Sequence, residues 1–465
     1  MTPDAQQLYE HVVDALEGGD GQALPGTIAD ARAADIAEVM DLLDDDQRSQ
    51  VIYALPPRTA AEVIVLLDEA VRGEVVEDLN EQQLSEIVAE LPLDDAADVM
   101  AELSQEQLGG LLEQIPQVQS VQISELLRYD ETSAGGIMNP HLLALPPPAK
   151  VSEAVDRVRE FAAGEDIHYV YVVDDDHQLL GTVGLQRLVI NGPDTRLRSI
   201  LDSDPVTVNV YDDQEDVLRV FRKYDIPAVA VVDDREHLRG RITHDDIMDV
   251  AAEEAAEDIY RMAGTDAAEL ETRSVLRAAG VRMSWLIPCM VGANIAATVL
   301  AAYGQSSLSK TQLTALVMFV PLIAATGGNA GMQSAAIILR GLATGELAFS
   351  KLRWVFMRES RIAIVVALLC AVFTCAVSSV VLRVLKSMDF SAAAPADVVP
   401  LRLGMGIGLG VLCAILIATT MGITLPFVFR RLGVDPAIAS GPLITTTNDI
   451  LSGAVYLAIA LLIVT

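Results

Sequence analysis

Five long apolar segments between residues 281 and 465 constrain the fold of this chain more than any other feature. Each is long enough to cross a bilayer, which takes roughly 20 residues of helix. Backbone groups in lipid have no water to bond, so each crossing must satisfy its own N–H and C=O groups. The sequence therefore predicts five membrane-spanning helices, at about 281–303, 312–339, 360–385, 401–429 and 436–464.

The charge of the chain divides at the same boundary. From Val281 onward there are 12 basic and 6 acidic residues, which leaves 20 basic and 59 acidic residues for 1–280. Because residues 1–280 are so acidic, they repel nucleic acid and anionic lipid, and we expect no nucleic-acid partner. The N-terminus, Met1-Thr-Pro-Asp-Ala, is polar and has no leader pattern, which predicts that the acidic part stays in the cytoplasm.

The short loops between the spans predict an orientation. Two of them are rich in basic residues, with Arg340, Lys351, Arg353, Arg358 and Arg361 in one and Arg430 and Arg431 in the other. The positive-inside rule places both loops in the cytoplasm. With five spans, the N-terminus is then inside and the C-terminus outside.

Residues 1–130 show helical periodicity interrupted by prolines, and a weak repeat of 36 residues. In this repeat Ala54-Leu-Pro56 returns as Glu90-Leu-Pro92. Repeats of this length predict a superhelical stack of helix pairs. Asp94 and Asp98 lie four residues apart on one helix face, where a cation between them would relieve their repulsion. An ordinary acidic surface has the same spacing.

Residues 131–250 contain two similar units, placed at 131–200 and 201–250. The β-branched run 169–173 returns 59 residues later as 228–232, each followed by a short apolar segment and a helix, which predicts small α/β units. Such units have small cores, so we expect them to pair.

The two units resemble a tandem pair of CBS domains, which are regulatory modules. In that family a hydroxyl residue followed three positions later by aspartate often grips an adenine nucleotide. The second unit has this motif as Thr243 and Asp246, whereas the first has Leu185 and Leu188 at the positions taken to correspond. The resemblance therefore implies one ATP-type site at most.

A strongly acidic helix, predicted over 245–275, leads from the second unit to the first span. Six of its carboxylates form or flank one stripe at spacings of three and four: Asp246, Asp249, Glu253, Glu254, Glu257 and Asp258. Without matching cations the carboxylates of the stripe repel one another. Divalent cations that bridge the stripe to another acidic face would make the helix more rigid. A solvated surface helix is the alternative.

Two spans carry polar residues at mid-membrane depth. The second holds Gly327-Gly-Asn-Ala-Gly-Met-Gln333, which indicates either close helix packing or an unwound backbone that exposes carbonyls. The last holds Thr445-Thr-Thr-Asn-Asp449, and Asp449 is the only carboxylate in the five segments as predicted. Such residues usually face a pore, a cavity or a partner, and their oxygens suit hard cations. Pro442 would free a further carbonyl one turn earlier.

Other classes of function fit less well. An intramembrane metalloprotease needs histidine ligands, yet none of the six histidines lies beyond His244, so we predict a transporter and no enzyme. Softer metals favour histidine or cysteine, and the cysteines lie away from both polar motifs. Asp449 argues against an anion path. A cobalt or manganese transporter of the same architecture stays open, as does a cation sensor with little transport.

An acidic helical domain, tandem CBS-like units and five spans with these motifs, together with Arg430-Arg-Leu-Gly-Val-Asp-Pro436, resemble the MgtE family of bacterial magnesium channels or transporters. The resemblance implies a homodimer in the bilayer of the plasma membrane, with Mg²⁺ as both substrate and regulatory ligand. Mg²⁺ bound to the cytoplasmic domains would close the path. The implied domains are an N-terminal helical domain at 1–130 and two CBS domains at 131–200 and 201–250. A connecting plug helix at 245–275 and a pore domain at 281–465 follow.

The resemblance also implies site residues. In the pore, Asp449, Thr445 (through its carbonyl) and Asp435 at the cytoplasmic mouth would meet the ion. The pore-lining residues would be Gly327, Gly328, Asn329, Gln333, Thr446 and Asn448. The cytoplasmic sensor residues would be Glu62, Asp94, Asp98, Asp225, Asp246, Asp249, Glu254, Glu257 and Asp258.

Overall fold

The computed structural model describes residues 3–17, 24–67, 69–161, 167–266, 269, 275–303, 310–343, 352–387, 399–439 and 441–464. The chain forms two compact units, Met1–Ala252 and Glu253–Thr465. The first is a helical domain followed by two small α/β domains, and the second is helical and apolar.

The first unit begins with short helices. Among the described residues these are α1 Pro3–Glu17, α2 Leu24–Ile28, α3 Ala33–Met40, α4 Asp45–Ala54, α5 Pro57–Val65, α6 Glu69–Asp78, α7 Glu81–Val88, α8 Leu93–Ala101, α9 Gln105–Gln114 and α10 Gln117–Leu126. From α3 onward each helix begins 12 residues after the one before. Several starts are marked by a side-chain cap, as at Asp44, Asn80 and Ser104, and others by a proline, as at Pro92 and Pro116.

The helices stack in pairs, as predicted, but the repeat length of 36 was wrong. Helix α3 packs against α5, α5 against α7 and α7 against α9, while α4 packs against α6, α6 against α8 and α8 against α10. Neighbours in the stack are therefore 24 residues apart. The 36-residue similarity spans three helices and relates helices of opposite layers, because the helices begin every 12 residues with a similar apolar pattern.

Two α/β domains follow, each with a three-stranded sheet. The first contains β1 Ala144–Leu145, α11 Val151–Phe161, β2 Tyr169–Val173, β3 Leu179–Gly184 and α12 Leu185–Ile190. The second contains β4 Thr207–Asn209, α13 Gln214–Tyr224, β5 Ala228–Val232, β6 Leu238–Thr243 and α14 His244–Ala263. In both sheets the first two strands are parallel and the last two antiparallel.

The two sheets pair, as expected. The Leu179 amide donates to the Glu236 carbonyl at 3.0 Å, and the Leu238 amide donates to the His177 carbonyl at 3.0 Å. The segment before β1 also contacts the second domain, since the Gly135 amide donates to the Val210 carbonyl at 2.8 Å.

Strand register corrects one comparison between the α/β domains. Thr243 lies opposite Ala228, and its counterpart opposite Tyr169 is Gly184. The residues that correspond to Thr243 and Asp246 are therefore Gly184 and Arg187, and not Leu185 and Leu188. The conclusion is unchanged, because the first domain still lacks the hydroxyl and the aspartate.

The second unit confirms the five predicted spans. Its helices are α15 Val275–Tyr303, α16 Lys310–Val317, α17 Val320–Ala343, α18 Leu352–Ser387, α19 Pro400–Arg431 and α20 Gly441–Val464. The five segments long and apolar enough to cross a membrane are Val275–Tyr303, Leu313–Leu342, Arg353–Val384, Pro400–Arg431 and Pro436–Ile463. Helix α19 is the most buried and packs against α17, α18 and α20.

Several local predictions in this unit were wrong. Helix α17 continues through 327–333, so the glycines do not unwind it. The second span breaks instead at Met318–Phe319, just before Pro321, whose nitrogen has no hydrogen to donate. Pro442 is the second residue of α20 and starts that helix rather than interrupting it.

Two further boundaries differ from the prediction. Helix α18 begins before residue 360 and includes Glu359, which is buried, so Asp449 is not the only carboxylate on a spanning helix. The acidic helix ends at Ala263 instead of 275, because Gly264 takes a left-handed conformation with φ of +79°. Residues 267, 268 and 270–274 lie outside the described part of the chain.

Candidate ion path and acidic sensor cluster

Asp449 is half-buried on α20, one turn after Thr445. The Thr445 hydroxyl donates to the Gly441 carbonyl at 2.9 Å, and the Thr447 hydroxyl donates to the Leu443 carbonyl at 2.8 Å. Both hydroxyl protons are thus used within the helix, which leaves the oxygens as acceptors. Oxygens that only accept, beside a carboxylate, suit a hard cation or its water shell.

The glycine run of α17 lies at the same depth as the threonine run of α20. A Cβ on Gly327 would be 2.8 Å from Nδ2 of Asn448, and a Cβ on Gly328 would be 3.3 Å from Cγ2 of Thr445. The structure therefore brings the two polar motifs together, as neighbours on packed helices. Close packing through small residues explains these glycines.

The predicted pore-lining side chains divide into two groups. Asn448 is fully buried and donates to the Ala324 carbonyl at 3.2 Å, while the Thr446 methyl lies against Gly292 of α15. Both side chains therefore contact helices of their own chain. Asn329 and Gln333, by contrast, are exposed one turn apart on α17. Amide side chains exposed at mid-span are expensive in lipid and indicate a polar path or a partner.

A polar stripe that the sequence reasoning missed fixes α20 to the second span. Asn448, Ser452 and Tyr456 follow at four-residue spacing and are all buried. The Tyr456 hydroxyl donates to the Leu316 carbonyl at 2.9 Å, beside the helix break. The spacing of polar residues in an otherwise apolar helix could have revealed this stripe.

The predicted mouth residue, Asp435, follows the end of α19. One of its oxygens accepts from the Ala437 amide at 2.8 Å, and the other is bonded by the guanidinium of Arg261. Arg261 also pairs with Glu257, four residues earlier on α14. The acidic stripe therefore does have a matching cation, which the sequence reasoning overlooked because Arg261 follows it.

Two predicted sensor residues of the first unit, Asp94 and Asp246, meet where α8 and α14 begin. Asp94 accepts from Nδ2 of Asn139 at 3.0 Å, and burial, then Asp95 and Asp246, raise the pKa of Asp94 well above its usual value. Burial and Asp246 raise the pKa of Asp95 to about 6. Asp246 accepts from the amide and hydroxyl of Thr243 at 2.7 and 2.8 Å, yet burial still raises its pKa.

Asp95 and Asp245 are members of this cluster that the sequence reasoning missed. We call Asp94, Asp95, Asp245, Asp246 and Asp249 the acidic cluster. Burial, and then Asp245, raise the pKa of Asp249. The adjacent pairs 94–95 and 245–246 are visible in the sequence, but only the fold shows that they face each other. Carboxylates with raised pKa values release free energy when a cation neutralises them.

The remaining predicted sensor residues lie on other helices or further along α8 and α14. Glu62 is exposed and pairs with Arg58 at 3.5 Å. Asp98 is exposed, and Asp225 caps the end of α13 in a left-handed conformation with φ of 51°. Glu254 and Asp258 lie on α14. Among the described residues, no three histidine, cysteine, aspartate or glutamate side chains are arranged to hold a metal ion.

The predicted nucleotide-binding residues, Thr243 and Asp246, are hydrogen-bonded to each other, because the Thr243 hydroxyl donates to the Asp246 carboxylate. A cavity of about 410 Å³ lies in the same domain, lined by Asp204, Pro205, Val206, Thr207, Arg219, Val220, Lys223 and Tyr224. Neither Thr243 nor Asp246 lines that cavity.

Family models match three parts of the chain. A family model described as a divalent cation transporter matches residues 320–459. The MgtE intracellular N domain matches 31–132, and CBS domains match 134–191 and 197–253.

Curated relatives span most of the chain. The magnesium transporter MgtE of Enterococcus faecalis is 36% identical over 340 residues, which is 73% of this chain and 71% of the relative. That of Thermus thermophilus is 33% identical over 351 residues, 74% of this chain and 72% of the relative. The solved cytosolic domain of the Mg²⁺ channel MgtE in complex with ATP is 32% identical, with a TM-score of 0.50 over 52% of this chain and 99% of that one. The chain therefore belongs to the MgtE family.

Proposed function

We propose that this protein imports Mg²⁺ across the bacterial plasma membrane as a channel, down the electrochemical gradient. The observation that carries the proposal is the placement of Asp449, half-buried at the depth where the glycine run of α17 packs on α20. The relatives above are named magnesium transporters, and the solved relative is named a Mg²⁺ channel.

The working unit in this proposal is a homodimer. A single chain offers one carboxylate at mid-span, and Asn329 and Gln333 are exposed on the adjoining helix. A second copy related by a two-fold axis would shield these amides from lipid. It would also bring a second Asp449 to the same ion, which balances the charge of Mg²⁺. The orientation is the predicted one, with the N-terminus in the cytoplasm.

The ion passes with much of its water shell. Mg²⁺ dehydrates reluctantly and is usually held by few protein ligands, and a pair of carboxylates with acceptor hydroxyls nearby suits a hydrated ion. The membrane potential supplies the driving force, roughly 4.6 kcal/mol per 100 mV for a divalent ion, twice the value for a unit charge.

Mg²⁺ also closes the path in this proposal. At low concentration the acidic cluster repels itself, and at high concentration the ion neutralises it and favours the closed state. Each ion contributes only the difference between its affinities for the two states, so several weak sites produce a steep response. ATP is a second regulatory ligand in this scheme, and it would first have to separate Thr243 from Asp246.

Flux into proteoliposomes tests the proposal. The purified chain should conduct Mg²⁺ into vesicles that hold a magnesium-sensitive dye, and Asp449→Asn should abolish the flux because both carboxylates of the dimeric site are lost. Glu359→Gln removes the other carboxylate of the spanning helices and serves as the matched control, with flux retained. Full conduction by Asp449→Asn would exclude Asp449 from the path.

The same vesicles can be used to compare the flux of other divalent cations with that of magnesium. Cobalt or manganese influx equal to that of magnesium would favour a general divalent transporter. Strong preference for Mg²⁺ would favour the present proposal.

A further inference from the structure

The last turn of α14 carries a charge arrangement that the acidic sequence around it does not suggest. The guanidinium of Arg261 pairs with Glu257 on its own helix and with Asp435, 174 positions further along the chain. The three side chains are only 27–33% exposed, so solvent screens these charges less than it screens a surface pair. Because the second oxygen of Asp435 is held by the Ala437 amide, the carboxylate keeps a fixed orientation toward Arg261.

The backbone around this ion triad is packed without room for side chains. Gly264 ends α14 with a φ of +79°, and a Cβ there would lie 2.7 Å from Cγ of Pro442. A Cβ on Gly441 would collide with the Met262 carbonyl. The end of α14 is thus fitted against the start of α20, the helix that carries Asp449.

We infer that Arg261 is a built-in cation that holds the end of the acidic helix against the cytoplasmic mouth of the path, without any metal. The inference rests on the proposed function. Glu257 and Asp435 would repel each other if they met alone. A guanidinium bonds two carboxylates at once through its planar fork, which the single ammonium of lysine cannot reproduce.

This arrangement has a consequence for gating. Part of the stability of the closed state comes from Arg261 and persists when magnesium is absent. A Mg²⁺ ion that binds Glu257 or Asp435 directly must first displace the guanidinium. The magnesium that controls closure therefore binds mainly at sites other than Glu257 and Asp435. Arg261 sets the fraction of closed channels in the absence of magnesium.

Flux through the full chain in proteoliposomes, at defined magnesium concentrations on the cytoplasmic face, tests the inference. Arg261→Gln should raise the flux at zero magnesium about five- to tenfold, and should raise the half-closing concentration by a similar factor, within the usual range of coupling between sites. Arg261→Lys should fall between Arg261→Gln and the wild type, because the charge stays and the fork is lost. Arg282→Gln is the matched control, since Arg282 bonds Glu269 instead, through Nε at 2.8 Å.

A charge-swapped pair, Arg261→Asp with Asp435→Arg, should move the closure curve back toward the wild type. An unchanged closure curve for Arg261→Gln would overturn the inference, and so would closure at lower magnesium. If Arg261→Gln does not fold, the closure curve of Arg261→Lys decides, and a wild-type curve would count against the inference. Loss of magnesium flux from the wild type itself, or full flux through Asp449→Asn, would instead overturn the proposed function.

Discussion

Replacing Asp95 by asparagine is expected to stabilise the first unit at neutral pH and to flatten its dependence on pH. Asp95 is half-buried where α8 meets the start of α14. Burial and then Asp246 raise its pKa from 3.8 to about 6, Arg72 opposes them, and Asp245 and Asp249 add smaller increases. The charged carboxylate is therefore unfavourable in the folded state unless a cation accompanies it.

The sign and size of the effect follow from proton linkage. With a pKa of about 6 when folded and 3.8 when unfolded, Asp95 binds its proton more tightly in the folded state. The stability that this provides is complete below pH 3.8 and is lost as the pH rises through about 6. At 1.36 kcal/mol per pKa unit, the loss amounts to about 3 kcal/mol by pH 7.5. Asparagine has no charge to bury and avoids this loss.

Thermal and urea unfolding of a fragment ending at Ala263, followed by circular dichroism in EDTA, measures the effect. At pH 7.5 the Asp95→Asn fragment should exceed the wild type by about 2–3 kcal/mol in the free energy of unfolding, and the difference should shrink toward pH 4.5. Millimolar magnesium should stabilise the wild type more than the variant, since the ion neutralises the same charge.

A matched control distinguishes this effect from the removal of any acid. Glu113 is exposed on α9, so Glu113→Gln should follow the wild-type dependence on pH. Parallel curves for Asp95→Asn and the wild type from pH 4.5 to 7.5 would refute the argument that burial and Asp246 penalise the charged form.

Three further substitutions test the packing. Gly422→Ala should lower the melting temperature in detergent, because its methyl would collide with a backbone carbonyl of α17 at a cost of about 1–3 kcal/mol; Gly453→Ala, where nothing lies within 4 Å, should leave it unchanged. Tyr456→Phe removes the hydroxyl that bonds a carbonyl at the break of the second span and should cost about 1 kcal/mol in the same assay; an unchanged melting temperature would contradict the bond. Asn139→Ala takes the amide donor from Asp94 and should destabilise the first unit by about 1–2 kcal/mol in urea at pH 7.5; no loss would show that the amide does not support that carboxylate.

Much of the architecture could be predicted from local patterns. The five spans, the helical domain and the two α/β domains follow from hydropathy and periodicity within windows of ten to thirty residues. Such patterns reflect burial of an individual segment and need no knowledge of its neighbours. Asp449 could be singled out in the same way, because a carboxylate in an apolar segment is costly wherever the helix packs.

The predictions that failed depend on contacts between distant residues. Asn448 and Asn329 are both amides in spanning helices, yet one is buried against Ala324 and the other is exposed. The direction of each side chain is set by the rotation of its helix against its neighbours, which a single segment does not encode.

The sequence by itself therefore determined the order of the domains, the number of spans and the carboxylate at mid-membrane, since each is a property of a continuous stretch of chain. Only the tertiary structure decided which charges meet. It placed Asp95 opposite Asp246 and Arg261 against Asp435, pairs separated by more than a hundred positions. Electrostatic energy depends on distance in space and on burial, and packing alone sets both.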